Sequence, residues 1–122
     1  MSALVLIVDD SDRNAKLACD VLERAGMRTL TATTAAAGLA LARSHLPDLV
    51  LMDLRLPDLD GQAAAKALAA DERTAHIPVV ALSALSEAEA ASTLAGSFAG
   101  YIEKPIDVLA FPEQVRGHCA PG

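Results

Sequence analysis

The 122-residue sequence predicts a doubly wound α/β domain on a five-stranded parallel sheet, and three observations carry that expectation. Short apolar runs such as Leu4–Val8 and Val79–Ser83 are continuous rather than alternating, as in strands covered on both faces. Segments with helical spacing of apolar residues separate these runs. Four runs end in chemically loaded residues, Asp9-Asp10, Asp53, Ser83 and Lys104, and parallel strands all finish on the same sheet edge.

Leu4–Val8 reads as the first central strand. Asp9-Asp10-Ser11-Asp12 then supplies a cap and negative charge for a helix whose apolar positions recur at Leu17, Ala18, Val21, Leu22 and Ala25, with Gly26 as its stop. Thr29 to Thr33 is short and polar, as suits an edge strand. An Ala/Leu-rich helix from Ala35 to Ser44 ends before Pro47, and Asp48 to Asp53 forms the third strand. The loop Leu54 to Gly61 carries Pro57, and a short helix spans Gln62 to Ala70. Pro78 opens the fourth strand, Val79 to Ser83. Ser86-Glu87-Ala88-Glu89 caps a helix running to about Ala95, and Gly100 to Glu103 is the last strand. The final helical pattern, Asp107 to Cys119, contains Pro112, so that helix either starts late, with Pro112 in its first turn, or is kinked. Right-handed crossovers and the flavodoxin-like order 2-1-3-4-5 make a three-layer sandwich in which strands 1, 3, 4 and 5 are neighbours and their four polar endings contiguous.

The length suits one domain, residues 1–122, so any output comes from its own surface. Sixteen acids against ten Lys and Arg give a net charge of −6, and no basic run overrides it, which argues against nucleic-acid binding. Met1-Ser2-Ala3 leads through six apolar residues, Ala3 to Val8, into acids, without a basic leader or a long apolar stretch; the expectation is no membrane insertion and a cytoplasmic location. Cys19 and Cys119 are a hundred positions apart, neither metal knuckle nor disulfide framework, and read as free, mostly buried thiols. His45, His76 and His118 lack neighbours at ligand spacing and read as surface or loop residues.

A carboxylate attacks a phosphorus surrounded by negative oxygens only with charge neutralisation and alignment. Asp9 and Asp10 can supply these by holding Mg²⁺, which prefers oxygen ligands, around the acceptor carboxylate Asp53. Lys104 brings a mobile positive charge and Ser83 a hydroxyl donor for the phosphoryl oxygens. Taken singly, a strand-end Asp is often a helix cap and Lys-Pro a solvated turn. The joint pattern at adjacent strand ends is what points to one site.

Through Leu6–Asp10, Leu51–Gly61, Ile77–Ala84 and Tyr101–Ile106, the sequence resembles receiver domains of two-component response regulators, the CheY-like superfamily, over residues 3 to 119. The resemblance implies Asp53 as phosphoacceptor, Asp10 and Asp53 as direct Mg²⁺ ligands with Asp9 helping through water, and Arg55 lending its backbone carbonyl. It implies Ser83 and Lys104 as phosphoryl contacts, a cis peptide between Lys104 and Pro105, and Tyr101 as the aromatic that turns inward when the Ser83 hydroxyl is drawn to the phosphoryl group. The expected phosphodonor is a histidine kinase or phosphotransfer protein. A downstream protein would read the face formed by the helix after strand 4, strand 5 and the final helix. By the same resemblance the chain promotes its own phosphorylation and dephosphorylation and is not a conventional enzyme. Asn14, Ala75-His76-Ile77-Pro78 and Lys104-Pro105-Ile106 resemble the stand-alone DivK-like group in particular.

Three departures from the family pattern fall on that output face: a stretch from Ser83 to Lys104 about one residue short, Phe98 in an ordinarily polar turn, and Pro112. They keep open a phosphate-independent binding module of the same fold. A second rival is an aspartyl-phosphate phosphatase, whose Asp-x-Asp motif is imitated by Asp58-Leu59-Asp60. That triplet follows Pro57 in a loop instead of ending an apolar strand, and a capped turn explains it better.

Overall fold

The computed structural model describes residues 3–84 and 98–119. Five strands, β1 (Leu4–Val8), β2 (Arg28–Ala32), β3 (Leu49–Asp53), β4 (Val79–Ser83) and β5 (Gly100–Glu103), form one parallel sheet in the order β2-β1-β3-β4-β5. The described residues also form four helices, α1 (Asp12–Arg24), α2 (Ala35–His45), α3 (Gly61–Ala70) and α4 (Phe111–His118). This is the doubly wound, flavodoxin-like architecture. The helix expected over Ser86 to Ala95, and most of the shortened stretch from Ser83 to Lys104, lie outside the described residues.

The strand runs are apolar on both faces because both faces are covered. Every residue of β3 and β4 is buried. On one side Val5, Ile7, Leu49, Leu51, Val80 and Leu82 pack with Ala18 and Leu22 of α1 and with Phe111 and Val115 of α4. On the other, Leu6, Val8, Val50 and Met52 pack with Ala35 and Ala42 of α2 and Ala64 and Leu68 of α3. β2, with only Ala32 buried, is the polar edge.

Several expectations need correction. The buried stripe of α1 is Ala15, Ala18 and Leu22, while Leu17 is 43% exposed. At about 100° per residue Leu17 falls on the flank of that stripe, and the small Ala15 and Ala18 let the helix lie close to the sheet. The final helix starts late: Asp107 to Ala110 forms a hydrogen-bonded turn, and Pro112 sits in the first turn of α4, where a missing N–H costs nothing. Cys19 and Cys119 are free but half-buried. His45 and His76 are exposed, whereas His118 is half-buried with its imidazole against Gly100 of β5. Gly26, at φ 91°, ends the α1 segment in the left-handed region as anticipated.

Candidate functional site

Register brings the strand ends together. Val8 pairs with Met52, so Asp9 and Asp53 emerge side by side; Asp53 pairs with Leu82, and Ser83 pairs with Glu103, which precedes Lys104. Asp9, Asp53 and Ser83 are all buried, and Asp10 is exposed beside them. Together with Lys104, Asn14 and Arg55 they line an open crevice of 530 Å³.

Lys104 Nζ donates to Asp53 Oδ2 at 2.9 Å and to Asp9 Oδ2 at 3.3 Å. Burial works against its ammonium, but the hydrogen bond and charge of Asp53 and the charge of Asp9 outweigh that cost and raise its pKa above the ordinary value. Asp9 is pushed up mainly by burial, opposed by the Ser11 N–H that it accepts at 2.9 Å and by Lys104. The Lys104–Pro105 peptide is cis, and the Lys104 N–H donates to the Ser83 carbonyl at 2.7 Å.

The remaining oxygen of Asp53, Oδ1, accepts the backbone N–H of Arg55 at 3.0 Å, while the Arg55 side chain is exposed. Among the described residues, Asp9, Asp10 and Asp53 each offer a carboxylate oxygen lying within 4.8 Å of the other two. Three hard oxygen donors so placed fit a magnesium ion. Without a cation they repel, and Lys104 is the counter-charge that holds the buried pair.

Tyr101 stands apart from this cluster on β5, half-buried, with its ring edge-on to Phe98 at a centroid distance of 6.4 Å and an interplanar angle of 65°. Phe98 therefore has a packing role of its own. The Asp58-Leu59-Asp60 triplet is divided between two helix termini. Asp60 caps α3 by accepting the Ala63 N–H at 2.8 Å, and Asp58 accepts the N–H groups of Ala35 and Ala36 at the start of α2, at 2.8 and 3.0 Å. Neither points to phosphatase chemistry. Burial raises the pKa of both cysteines, which keeps them as thiols.

Sequence reasoning did not anticipate Gly61. A Cβ there would come within 2.6 Å of the Asp53 carbonyl oxygen and 2.9 Å of Leu54 Cα, so α3 begins pressed against the backbone at the end of β3. In the sequence it marks only the end of the loop from Leu54, before a helix expected to start at Gln62.

The response regulator receiver domain family model matches residues 5–116. The chain belongs to the response regulator receiver family. It is 38% identical over 119 residues, 97% of each chain, to the polar-differentiation response regulator DivK of Brucella ovis. A putative response regulator from Chloroflexus aurantiacus superposes with a TM-score of 0.88 at 26% identity, covering 96% of this receiver and 97% of that chain. The chemotaxis response regulator CheY4 of Vibrio cholerae superposes at 0.86 and 22% identity, covering 96% and 98%, a likeness of fold. The receiver is thus DivK-like in sequence and CheY-like in fold, a signalling module of phosphorelay type, and the phosphatase alternative is not favoured. No helix among its described residues is long and apolar enough to cross a membrane.

Proposed function

We propose that this receiver takes a phosphoryl group from a phosphohistidine of a histidine kinase or phosphotransfer protein onto Asp53. The observation that carries the reading is the Lys104 ammonium, 2.9 Å from Asp53 and shared with Asp9 at the meeting of three strand ends. An oxygen of Asp53 forms the new O–P bond as the donor's N–P bond breaks, and the imidazole leaves with the electron pair. Lys104 then follows the negative charge onto a phosphoryl oxygen, and the Ser83 hydroxyl donates to another.

Asp10 and Asp53 would hold Mg²⁺ directly, with Asp9 acting through water and the Arg55 carbonyl completing the protein ligands. Bound there, the ion neutralises charge on the phosphoryl oxygens. Attack and later hydrolysis occur on the chain's own carboxylate, so the receiver modifies itself and does not turn over an external substrate. Drawing Ser83 toward the phosphoryl group would open space for Tyr101 to turn inward and alter the face that includes β5 and α4, where a downstream protein reads the signal. In this reading the receiver domain works in the cytoplasm.

Incubation with acetyl phosphate and Mg²⁺ is the test, read by intact mass. Wild type gains one phosphoryl group and Asp53→Asn gains none. An equal gain in the variant identifies a different acceptor, and no gain in wild type favours the phosphate-independent binding module.

A further inference from the structure

We infer that Asp58 is a positioning residue for the acceptor site, one that fixes the loop after Asp53 by tethering it to the start of α2. The inference rests on the reading of Asp53 and its neighbours as a magnesium-dependent acceptor.

The loop from Leu54 to Asp60 is mostly exposed and would be free to shift if nothing held it. It is fastened at three levels. Next to the acceptor, the Arg55 N–H donates to Asp53 Oδ1 at 3.0 Å and the Gly61 N–H to the Leu54 carbonyl at 3.1 Å. At its far end Asp60 caps α3. Between them, the two carboxylate oxygens of Asp58 take the N–H groups of Ala35 and Ala36, residues more than twenty positions upstream.

The tether suits both partners. Helix α2 has no acid in its first turn, and its N-cap Thr34 satisfies only the Ala37 N–H, at 3.1 Å. Asp58 satisfies the two donors before it, Ala35 and Ala36, and places a negative charge at the positive end of the helix. Those backbone hydrogen bonds hold its carboxyl below the ordinary carboxylate range. In return the loop is anchored on a helix that packs into the sheet through Ala35 and Ala42. Only Arg55, Leu56 and Pro57 lie between the fixed Leu54 and the fixed Asp58; Leu56 is partly buried against the core and Pro57 has a locked φ. The Arg55 carbonyl, the backbone ligand in the proposed metal shell, is therefore clamped from both sides. Asp58 touches neither phosphate nor metal and acts through this geometry.

Two variants separate positioning from helix capping. Asp58→Ala removes the tether, and Thr34→Ala removes a cap of the same helix without touching the loop. Three readouts apply to each: Mg²⁺ affinity by titration calorimetry on the unphosphorylated protein, amide exchange over residues 54–58, and melting temperature. Asp58→Ala is expected to weaken Mg²⁺ by about tenfold, the lower end of what outer partners of a metal site contribute, and to speed exchange in the loop. Thr34→Ala lowers the melting temperature and keeps the wild-type Mg²⁺ affinity. Asp58→Asn, with one acceptor oxygen left, falls between wild type and Asp58→Ala. Wild-type affinity in Asp58→Ala, or an equal loss in Thr34→Ala, overturns the inference while the acceptor reading stands. A wild-type chain that binds no Mg²⁺ removes both.

Discussion

Lys104 serves two carboxylates at once, and the distances decide which has the stronger hold: 2.9 Å to Asp53 against 3.3 Å to Asp9. Such residues are legible in the sequence because each stands at the end of a short strand-like run, and parallel strands leave those run endings at one edge. Asp58 was not legible in the same way, since its partners are fixed by which helix end its loop happens to face. Asp71 is a comparable case. It caps the C-terminus of α3 and accepts from the Arg73 N–H at 2.9 Å, from the Arg73 guanidinium at 3.2 Å and from Arg43 Nε of α2 at 2.9 Å. The Arg73 N–H and guanidinium, helped by Arg43, hold its carboxyl down to about 2. A depressed carboxyl stabilises the fold fully above its unfolded value of 3.8, and that contribution is lost as pH falls through about 2. Asp71→Asn is therefore expected to melt below wild type at neutral pH, with the gap closing between pH 3.8 and about 2. Thermal melts across that window check it, and a gap that stays constant would contradict this assignment.

Among the elements, β4 and β5 have the limits that the sequence implied, because Pro78 and Gly100 mark their starts against apolar contrast. The edge strand β2 begins a residue earlier than expected, at Arg28, since a polar run offers no such contrast. Helix α1 was harder to read: Leu17 and Ala18 both look like core candidates, and only the approach of the helix to the sheet decides that the smaller one goes in. Gly61 shows the same dependence on packing between elements. A methyl group there meets main-chain atoms of Asp53 and Leu54, which cannot rotate away. Gly61→Ala is expected to cost about 1–3 kcal/mol as overpacking and to slow phosphorylation by acetyl phosphate, because the displaced atoms belong to Asp53, the proposed acceptor, and its neighbour. Chemical denaturation together with the intact-mass time course checks both parts. A variant of wild-type stability would mean that α3 can retreat freely from β3.

At the scale of the whole molecule, the strand order brings the loaded ends of β1, β3, β4 and β5 to adjacent positions, and alternation of continuous apolar runs with helical segments, together with the polar ending of each run, made that order legible. It did not convey how a chain with a net charge of −6 tolerates two buried acids beside an exposed third. One lysine only partly offsets them, so a divalent cation should stabilise the fold as a whole. Melting temperature is expected to rise with Mg²⁺, approaching about 2.7 kcal/mol of added stability at roughly 100 times Kd, and to return on chelation. Asp53→Asn should flatten the response; an unchanged rise would place the ion elsewhere. The edge-on contact of Tyr101 with Phe98 has a practical corollary. The molecule has one tyrosine and no tryptophan, so its phenol emission and the phenol bands of its near-ultraviolet dichroism arise from a single ring whose neighbour is known. Any event that rotates that ring off its neighbour writes itself into an optical signal without a label.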